Sequence, residues 1–130
     1  MNAQKERVVA RLEESYGAVA EHLWTKYPDF AVFRHPISRK WFALLMELAG
    51  NKVGLAGGAP VWVLDVRCGP ILSASLVSEK GFAPAYHMNK TTWISVLLDG
   101  TLSDERIDFL IDLSYDAAAP KSGSKAKTKK

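Results

Sequence analysis

Apolar residues near the N-terminus recur at the spacing of one face of a helix. Over residues 4–16 charged side chains fill most of the remaining positions, and the apolar ones are Val8, Val9, Leu12 and Tyr16. This spacing predicts an amphipathic helix, and Gly17 can end it with a positive φ. The spacing continues through Val19 and Leu23, which predicts a second, short helix over residues 18–24.

Four later segments have the length and composition of strands: residues 30–35, 40–48, 61–68 and 93–98. The second of them is apolar on both alternations, which is typical of a central strand covered on both sides. The third alternates, with Asp65 and Arg67 opposite its apolar residues. This alternation predicts a strand with one face in water.

The remaining elements are two helices. Gly69 and Pro70 open a short one that reaches about Ser78, because proline fits the first turn of a helix. Ser103 is positioned to cap a final helix that ends near Ala118. The order is helix, three-strand meander, short helix, strand, helix. We therefore predict one α+β domain over residues 1–119, an antiparallel sheet with the N- and C-terminal helices packed on one face.

Composition supports a globular protein and narrows its setting. The 130 residues are 48% hydrophobic and 24% charged, enough for a buried core. No apolar run approaches the roughly 18 residues of a membrane span, and the polar start MNAQKER is not a secretory signal. The single cysteine, Cys68, excludes an internal disulfide and multi-cysteine metal sites. We expect a cytoplasmic protein with no membrane partner.

The net charge of +3 comes from the C-terminus. Five of the 17 basic residues lie in the last ten, KSGSKAKTKK, and the other 12 face 14 acidic residues, a net charge of −2. A segment of this composition cannot bury enough apolar surface to fold, so residues 120–130 are predicted to be a disordered lysine-rich tail. The tail is either solubilising or a source of weak, salt-sensitive attraction to nucleic acid.

Motifs for catalysis or metal binding are weak. The three histidines lie on different predicted elements at no metal-ligand spacing, and Cys68 has no basic neighbour to activate its thiol. The glycine-rich residues 50–58 precede a strand rather than a helix, so they fit turns better than a phosphate loop. We therefore predict no metal, no cofactor and no enzymatic activity. The one enzyme alternative pairs His87 with Asp65 or Glu79 as a general base.

The segment PAYHMNKTTW, before the last strand, concentrates aromatic and hydrogen-bonding side chains. Lys90 suits a phosphate contact, and Tyr86 or Trp93 suits base stacking. The structural alternative places Asn89 in a turn, His87 at a helix cap and Trp93 in the core. Both interpretations remain open from the residues alone.

Four blocks of the sequence together resemble one protein family. They are YPDFAVFRH, KWFALLM, PAYHMNKTTWISVLLDG and IDLSYD, in that order over residues 10–117. In these blocks the chain resembles the MmcQ/YjbR family of small bacterial proteins. The resemblance implies a fold related to the bacterial frataxin homologue and a DNA-binding role, although the lysine-rich tail is not expected from it. The family's recurrent residues correspond here to Tyr27, Pro28, Phe33, Lys40, Phe42, His87, Asn89, Lys90, Trp93, Ser114 and Tyr115.

The leading functional hypothesis is therefore non-enzymatic DNA binding, weak and salt-sensitive. Its predicted surface consists of Arg39, Lys40, Tyr86, His87, Asn89 and Lys90. The net charge of −2 on residues 1–120 argues against it, because DNA-binding domains usually carry a basic face. The alternative is a small-ligand or protein-interaction module, with a cleft near residues 84–93 walled by Tyr86 and Trp93.

Overall fold

The structure, a computed structural model, describes residues 3–120 as five strands and three α-helices. The helices are α1 (Ala3–Tyr16), α2 (Pro70–Leu76) and α3 (Asp104–Ala118). The strands are β1 (Ala31–Arg34), β2 (Trp41–Ala49), β3 (Pro60–Arg67), β4 (Phe82–Pro84) and β5 (Trp93–Leu97), and a short 3-10 helix, Gly50–Val53, links β2 to β3.

The five strands form one antiparallel sheet in the order β1-β2-β3-β5-β4. The predicted α+β class and antiparallel sheet are confirmed, and so is the meander of the first three strands. The edge strand β4 was not predicted from the sequence. It is only three residues long and ends in Pro84, a residue that cannot donate to a ladder and is confined to strand edges.

The N- and C-terminal helices pack on one face of the sheet, as predicted. Leu12 of α1 and Ile107 and Ile111 of α3 are fully buried there, against sheet residues such as Phe42 and Leu64. We call this the helix face. Residues of all three helices contribute to its core, which therefore accounts for most of the apolar surface that the helices bury.

Gln4 fastens α1 to the start of α3. Its buried side chain donates from Nε2 to the Leu102 carbonyl at 2.9 Å and accepts at Oε1 from the Gly100 backbone N–H at 2.9 Å. The predicted cap of α3 is confirmed, since the Ser103 hydroxyl accepts from the Arg106 N–H. These bonds satisfy backbone groups that the end of a helix otherwise leaves unpaired.

A β-bulge interrupts the pairing of β1 with β2. Phe33 lies opposite Ala43 but Arg34 lies opposite Trp41, so Phe42 is the extra residue. The buried hydroxyl of Ser114 links Phe42 to β3: it donates to the Phe42 carbonyl at 2.6 Å and accepts from the Arg67 N–H at 2.8 Å. One α3 side chain therefore completes the ladder between β2 and β3.

The Ser114→Ala substitution should destabilise the protein by about 1–2 kcal/mol, because it leaves a backbone donor and a backbone acceptor without partners. Urea unfolding measures the change as a lower midpoint at an unchanged slope. Ser75→Ala, at an exposed α2 position, is the control. Equal midpoints for the two variants would show that Ser114 is not needed to close the ladder.

Two sequence predictions are wrong. Residues 18–24 are not a helix: the Glu21 backbone N–H and C=O pair with Val32, and this bridge holds the segment extended beside β1. Its apolar residues Val19 and Leu23 are 74% and 48% exposed. Asp65 does not face water either, since it is completely buried. Its strand has cover on both faces.

The predicted tail, residues 120–130, lies outside the described residues except for Pro120. Among residues 3–120, no helix combines the length and apolar character that crossing a lipid bilayer requires.

Candidate functional site

The second face of the sheet is apolar but is covered by loops instead of α-helices. Its core includes Val32, Leu44, Met46 and Val63. The cover comes from three places: residues 24–30, the 3-10 helix, and the loop after β4, with Trp24, Trp41, Tyr86 and Met88 partly buried against the core. Loops cover a sheet less completely than packed helices, and an open cavity remains between them.

This cavity, which we call the aromatic pocket, has a volume of about 250 Å³. Four of its seven lining side chains are tryptophan, tyrosine or phenylalanine. The full lining consists of Trp24, Tyr27, Phe30, Trp41, Leu44, His87 and Met88. Its volume lies at the small end of ligand pockets, and apolar walls with few polar groups are typical of them. A ligand of one or two fused rings fits this size.

The rings hold one another in place. Tyr27 stacks on Phe30 with ring centroids 4.8 Å apart, and Trp24 meets Phe30 edge-on at 5.9 Å. Trp24 also meets Trp41 edge-on at 5.9 Å. Offset-stacked and edge-to-face geometries are the favourable ones for aromatic pairs. The pocket is therefore preformed by contacts among its own walls.

One wall comes from the loop between β4 and β5, where His87 and Met88 line the pocket. His87 is exposed and has a φ of 69°, in the left-handed region that non-glycine residues seldom adopt. Its ring lies 6.1 Å from that of Phe30 and 4.3 Å from that of Tyr86. His87, the residue with this unusual φ, is thus the one that turns the loop towards the pocket.

A buried chain of hydrogen bonds fastens this loop to the sheet. The Tyr86 backbone N–H donates to Ser95 Oγ at 3.0 Å, and the Ser95 hydroxyl donates to Asp65 Oδ1 at 2.5 Å. We call these three groups the Asp65–Ser95–Tyr86 relay. Because Asp65 lies directly opposite Leu44 in the sheet, the relay adjoins the floor of the aromatic pocket.

Asp65 is held in an environment that disfavours its charge. Burial raises the pKa of its carboxyl to about 8, although the Ser95 hydrogen bond and the Lys90 charge each lower the pKa. Its second oxygen, Oδ2, is buried and has no hydrogen-bond partner within residues 3–120. The group is therefore predominantly a neutral carboxylic acid at pH 7.

The six residues predicted to bind nucleic acid only partly converge. His87 is the one that lines the aromatic pocket, Lys40 precedes the pocket residue Trp41, and Arg39 lies in the β1–β2 turn. Arg39, Lys40, His87, Asn89 and Lys90 are exposed, whereas Tyr86 is half-buried. Exposure leaves these side chains accessible to a partner, and their binding role stays a prediction.

Structural roles account for part of the 84–93 segment. The Asn89 side chain accepts from the Thr91 N–H at 2.8 Å, the turn role considered above, and Trp93 is buried in the sheet. The cleft near this segment exists, but the walls expected for it are wrong: Tyr86 and Trp93 do not line the aromatic pocket. Trp93 instead lies below the Arg67 guanidinium, 5.2 Å from ring centroid to Cζ.

Most residues that line the aromatic pocket were not predicted from the sequence to be site residues. The sequence patterns place Trp24 in a short helix, Phe30 in a strand and Trp41 in a central strand, and Tyr27 is named only as a residue that recurs in the family. The one signal in the sequence was the high density of aromatic residues over residues 24–41. Spacing alone could not show that these rings meet His87 and Met88, which are more than 40 residues later.

The two acids of the enzyme alternative, Asp65 and Glu79, bond to residues other than His87. Asp65 binds Ser95, and Glu79 pairs with Arg106 at 2.8 Å, so neither predicted partner is hydrogen-bonded to His87. Within residues 3–120, no three histidine, cysteine or acidic side chains come together as a metal site would require.

A family model and proteins from two bacterial species match the chain. A family model described as YjbR matches residues 13–117. The uncharacterized protein YyaQ of Bacillus subtilis (strain 168) is 34% identical over 111 residues, which cover 85% of this chain and 94% of that protein. The uncharacterized protein YjbR of Escherichia coli (strain K12) is 49% identical over 35 residues, covering 27% of this chain and 30% of that protein.

Solved structures agree with the fold described above. A crystal structure of a protein from Pseudomonas syringae has a TM-score of 0.85 at 40% identity and covers 92% of this chain and 100% of its own. A protein from Deinococcus radiodurans has a TM-score of 0.69 at 20% identity, with coverage of 99% and 90%, and shows the fold alone. With a family match over most of its length and a relative of one-third identity, the chain belongs to the YjbR family, as its sequence blocks indicated.

Proposed function

We propose that this protein binds a small planar ligand in the aromatic pocket. The observation that carries the proposal is the pocket itself, a preformed cavity of about 250 Å³ walled by Trp24, Tyr27, Phe30 and Trp41. Aromatic walls bind flat rings by stacking and by removing their apolar surface from water. Because the rings support one another, little ordering entropy is lost when a ligand enters.

Binding without catalysis is the simpler form of the proposal. His87 is the one imidazole among the side chains that line the pocket, and a general base needs an orienting partner and a held substrate group. Asp65, which lies opposite the pocket residue Leu44 in the sheet, accepts a hydrogen bond from Ser95. The proposed role is therefore recognition of a small molecule.

The Tyr27→Ala substitution should weaken the binding of a planar probe about tenfold, because stacking on one aromatic side chain contributes roughly 1–3 kcal/mol. Tyr27 is 50% exposed, so its loss leaves the core intact. Phe109→Ala is the matched control, since Phe109 is an aromatic residue of α3 with 59% exposure. Calorimetric titration with indole and with adenosine measures the two affinities.

Two results would count against binding in the aromatic pocket. If neither probe binds the wild-type protein at millimolar concentration, the aromatic pocket is not a site for planar rings. If both variants weaken binding equally, the probes bind elsewhere on the surface.

Single-stranded nucleic acid is a second candidate, because the exposed Arg39, Lys40 and Lys90 belong to segments that adjoin the aromatic pocket. Basic groups bind phosphates while aromatic rings stack on unpaired bases. Affinity for a fluorescent oligonucleotide should fall steeply with salt, and Lys40→Ala and Lys90→Ala should each reduce the slope of that fall by about one. Full-length protein with its five tail lysines changed to Gln is the control for attraction by the tail alone. An unchanged slope in both the Lys40→Ala and the Lys90→Ala protein would reject this candidate.

A further inference from the structure

Two arginines share one carboxylate beside the aromatic pocket. Arg34 donates from Nε to Glu21 Oε1 at 3.1 Å and Oε2 at 3.0 Å, and Arg39 Nη2 lies 3.4 Å from the same Oε2. Arg34 Nη1 also donates to the Arg39 backbone carbonyl at 3.2 Å. The cluster therefore carries two positive charges against one negative charge.

Arg39 has binding capacity to spare. Its side chain is 61% exposed, and its one recorded side-chain hydrogen bond is the 3.4 Å contact with Glu21, at the long end of the hydrogen-bond range. A guanidinium has five N–H donors in a planar fork that matches carboxylate and phosphate oxygens. An added anion can thus bind Arg39 without breaking the closer Arg34–Glu21 pair.

The cluster borders a cavity with room for an acid group. This cavity, of about 300 Å³, is lined by Gly17, Ala18, Val19, Glu21, Arg34, Pro36 and Arg39. Small side chains form most of its wall, and an added Cβ at Gly17 would meet no heavy atom within 4 Å. The cavity that Arg34 and Arg39 both line therefore has room for a small ligand group.

The Arg34–Trp41 pair connects this cavity to the aromatic pocket. The Arg34 Cζ lies 5.9 Å from the centroid of the Trp41 ring, and Trp41 lines the aromatic pocket whereas Arg34 lines the arginine cavity. A ring in the first cavity and an acid on a short arm in the second would lie on either side of this pair. The two cavities together thus favour one kind of ligand.

We propose that Arg34 and Arg39 form an anion subsite and that the ligand of the aromatic pocket is a planar ring carrying a carboxylate or phosphate on a short flexible arm. This inference rests on the proposed function, because it assigns the substituent of a ligand whose ring the pocket holds. Glu21 keeps its pair with Arg34 when the ligand binds, and its negative charge offsets part of the cluster's attraction for the ligand's acid group.

Matched probes separate the ring from its acid. Indole-3-propionate carries a carboxylate on a two-carbon arm, and indole-3-propionamide is its neutral counterpart. The acid should bind about tenfold more tightly, because a hydrogen bond between a guanidinium and a carboxylate is stronger than one to a neutral amide. Adenosine 5′-monophosphate against adenosine distinguishes a phosphate from a carboxylate as the preferred anion.

Two substitutions should move the acid preference in opposite directions. Arg39→Gln should abolish most of it and leave the affinity for the amide unchanged. Glu21→Gln should increase it, because the opposing negative charge is removed. Arg106→Gln, which changes an arginine paired with Glu79 away from the cluster, should leave the preference as it is in the wild type.

Each result decides a different claim. Equal affinities for every acid and its neutral counterpart would overturn the anion subsite and leave the ring site standing. An acid preference that survives in both Arg39→Gln and Arg34→Gln would assign the anion to other groups and overturn the inference as well. If none of the four probes binds, the proposed function and the inference both fail.

Discussion

The Asp65→Asn protein should be more stable than the wild type at pH 8 and should lose this advantage as the pH falls towards 4. The folded state raises the pKa of Asp65 to about 8, above the ordinary value of 3.8 for an aspartate. Between these values the folded protein keeps a proton that the unfolded chain releases. The contribution of Asp65 to stability is therefore fully present below about pH 4 and declines as the pH rises towards 8.

The decline should approach about 1.4 kcal/mol per pH unit within that window, since one pKa unit corresponds to this free energy. Asparagine does not ionise, so the variant lacks this slope, and we expect a difference of a few kcal/mol between the two proteins at pH 8. The added amide N–H of asparagine has no partner in the structure, which offsets part of the gain.

Urea unfolding at pH 5, 6, 7 and 8 measures the effect as the difference between wild type and variant, which isolates Asp65 from other titrating groups. Asp116→Asn, at an exposed position near the end of α3, is the control and should follow the wild type. Parallel stability curves for Asp65→Asn and the wild type would mean that Asp65 is already charged in the folded protein at pH 5.

The Ser95→Ala substitution should destabilise the protein by about 2–3 kcal/mol, because it removes the centre of the Asp65–Ser95–Tyr86 relay. Asp65 loses its hydrogen-bond donor, and the Tyr86 N–H loses its acceptor. Since the Ser95 bond lowers the pKa of Asp65, the decline of the variant's stability with Asp65 ionisation should extend to a higher pH than in the wild type. The pocket wall at His87 and Met88 loses an anchor as well, so affinity for planar probes should fall.

Ser73→Ala is the comparison, because Ser73 is also a buried serine that bonds to the loop before β5. Its hydroxyl donates to the carbonyls of Lys90 and Trp93, each at 3.3 Å, and these longer bonds should contribute less. Urea midpoints at pH 6 and titration with indole test both effects. A Ser95→Ala protein as stable as Ser73→Ala would show that the relay does not hold the loop.

The sequence predicted the fold well wherever periodicity matched the environment. Segment 40–48 was apolar on both alternations and became β2, whose residues enter the cores of both faces. The helix predicted over residues 18–24 is wrong because Val19 and Leu23 have helical spacing by coincidence. The backbone hydrogen bonds between Glu21 and Val32 determine the extended conformation of that segment. A long-range pairing of this kind leaves no periodic signal in the sequence.

The candidate site was harder to predict than the fold for two physical reasons. Its walls come from segments far apart in the chain, and only the sheet brings Trp41 beside His87. The alternation of β3 predicts that Asp65 faces water, but the loop after β4 covers that face and Asp65 is buried. His87, Asn89 and Lys90, three of the residues predicted to bind nucleic acid, are exposed in the loop between β4 and β5.

The tryptophan indole N–H signals of the ¹⁵N-labelled full chain test the central claim most directly, because the protein has four tryptophans and the pocket holds two of them. On titration with indole-3-propionate, the signals of Trp24 and Trp41 should shift and saturate together. Those of Trp62, on the helix face, and of Trp93, buried in β5, should stay in place. Unmoved signals at Trp24 and Trp41, or equal shifts at all four, would contradict binding in the aromatic pocket.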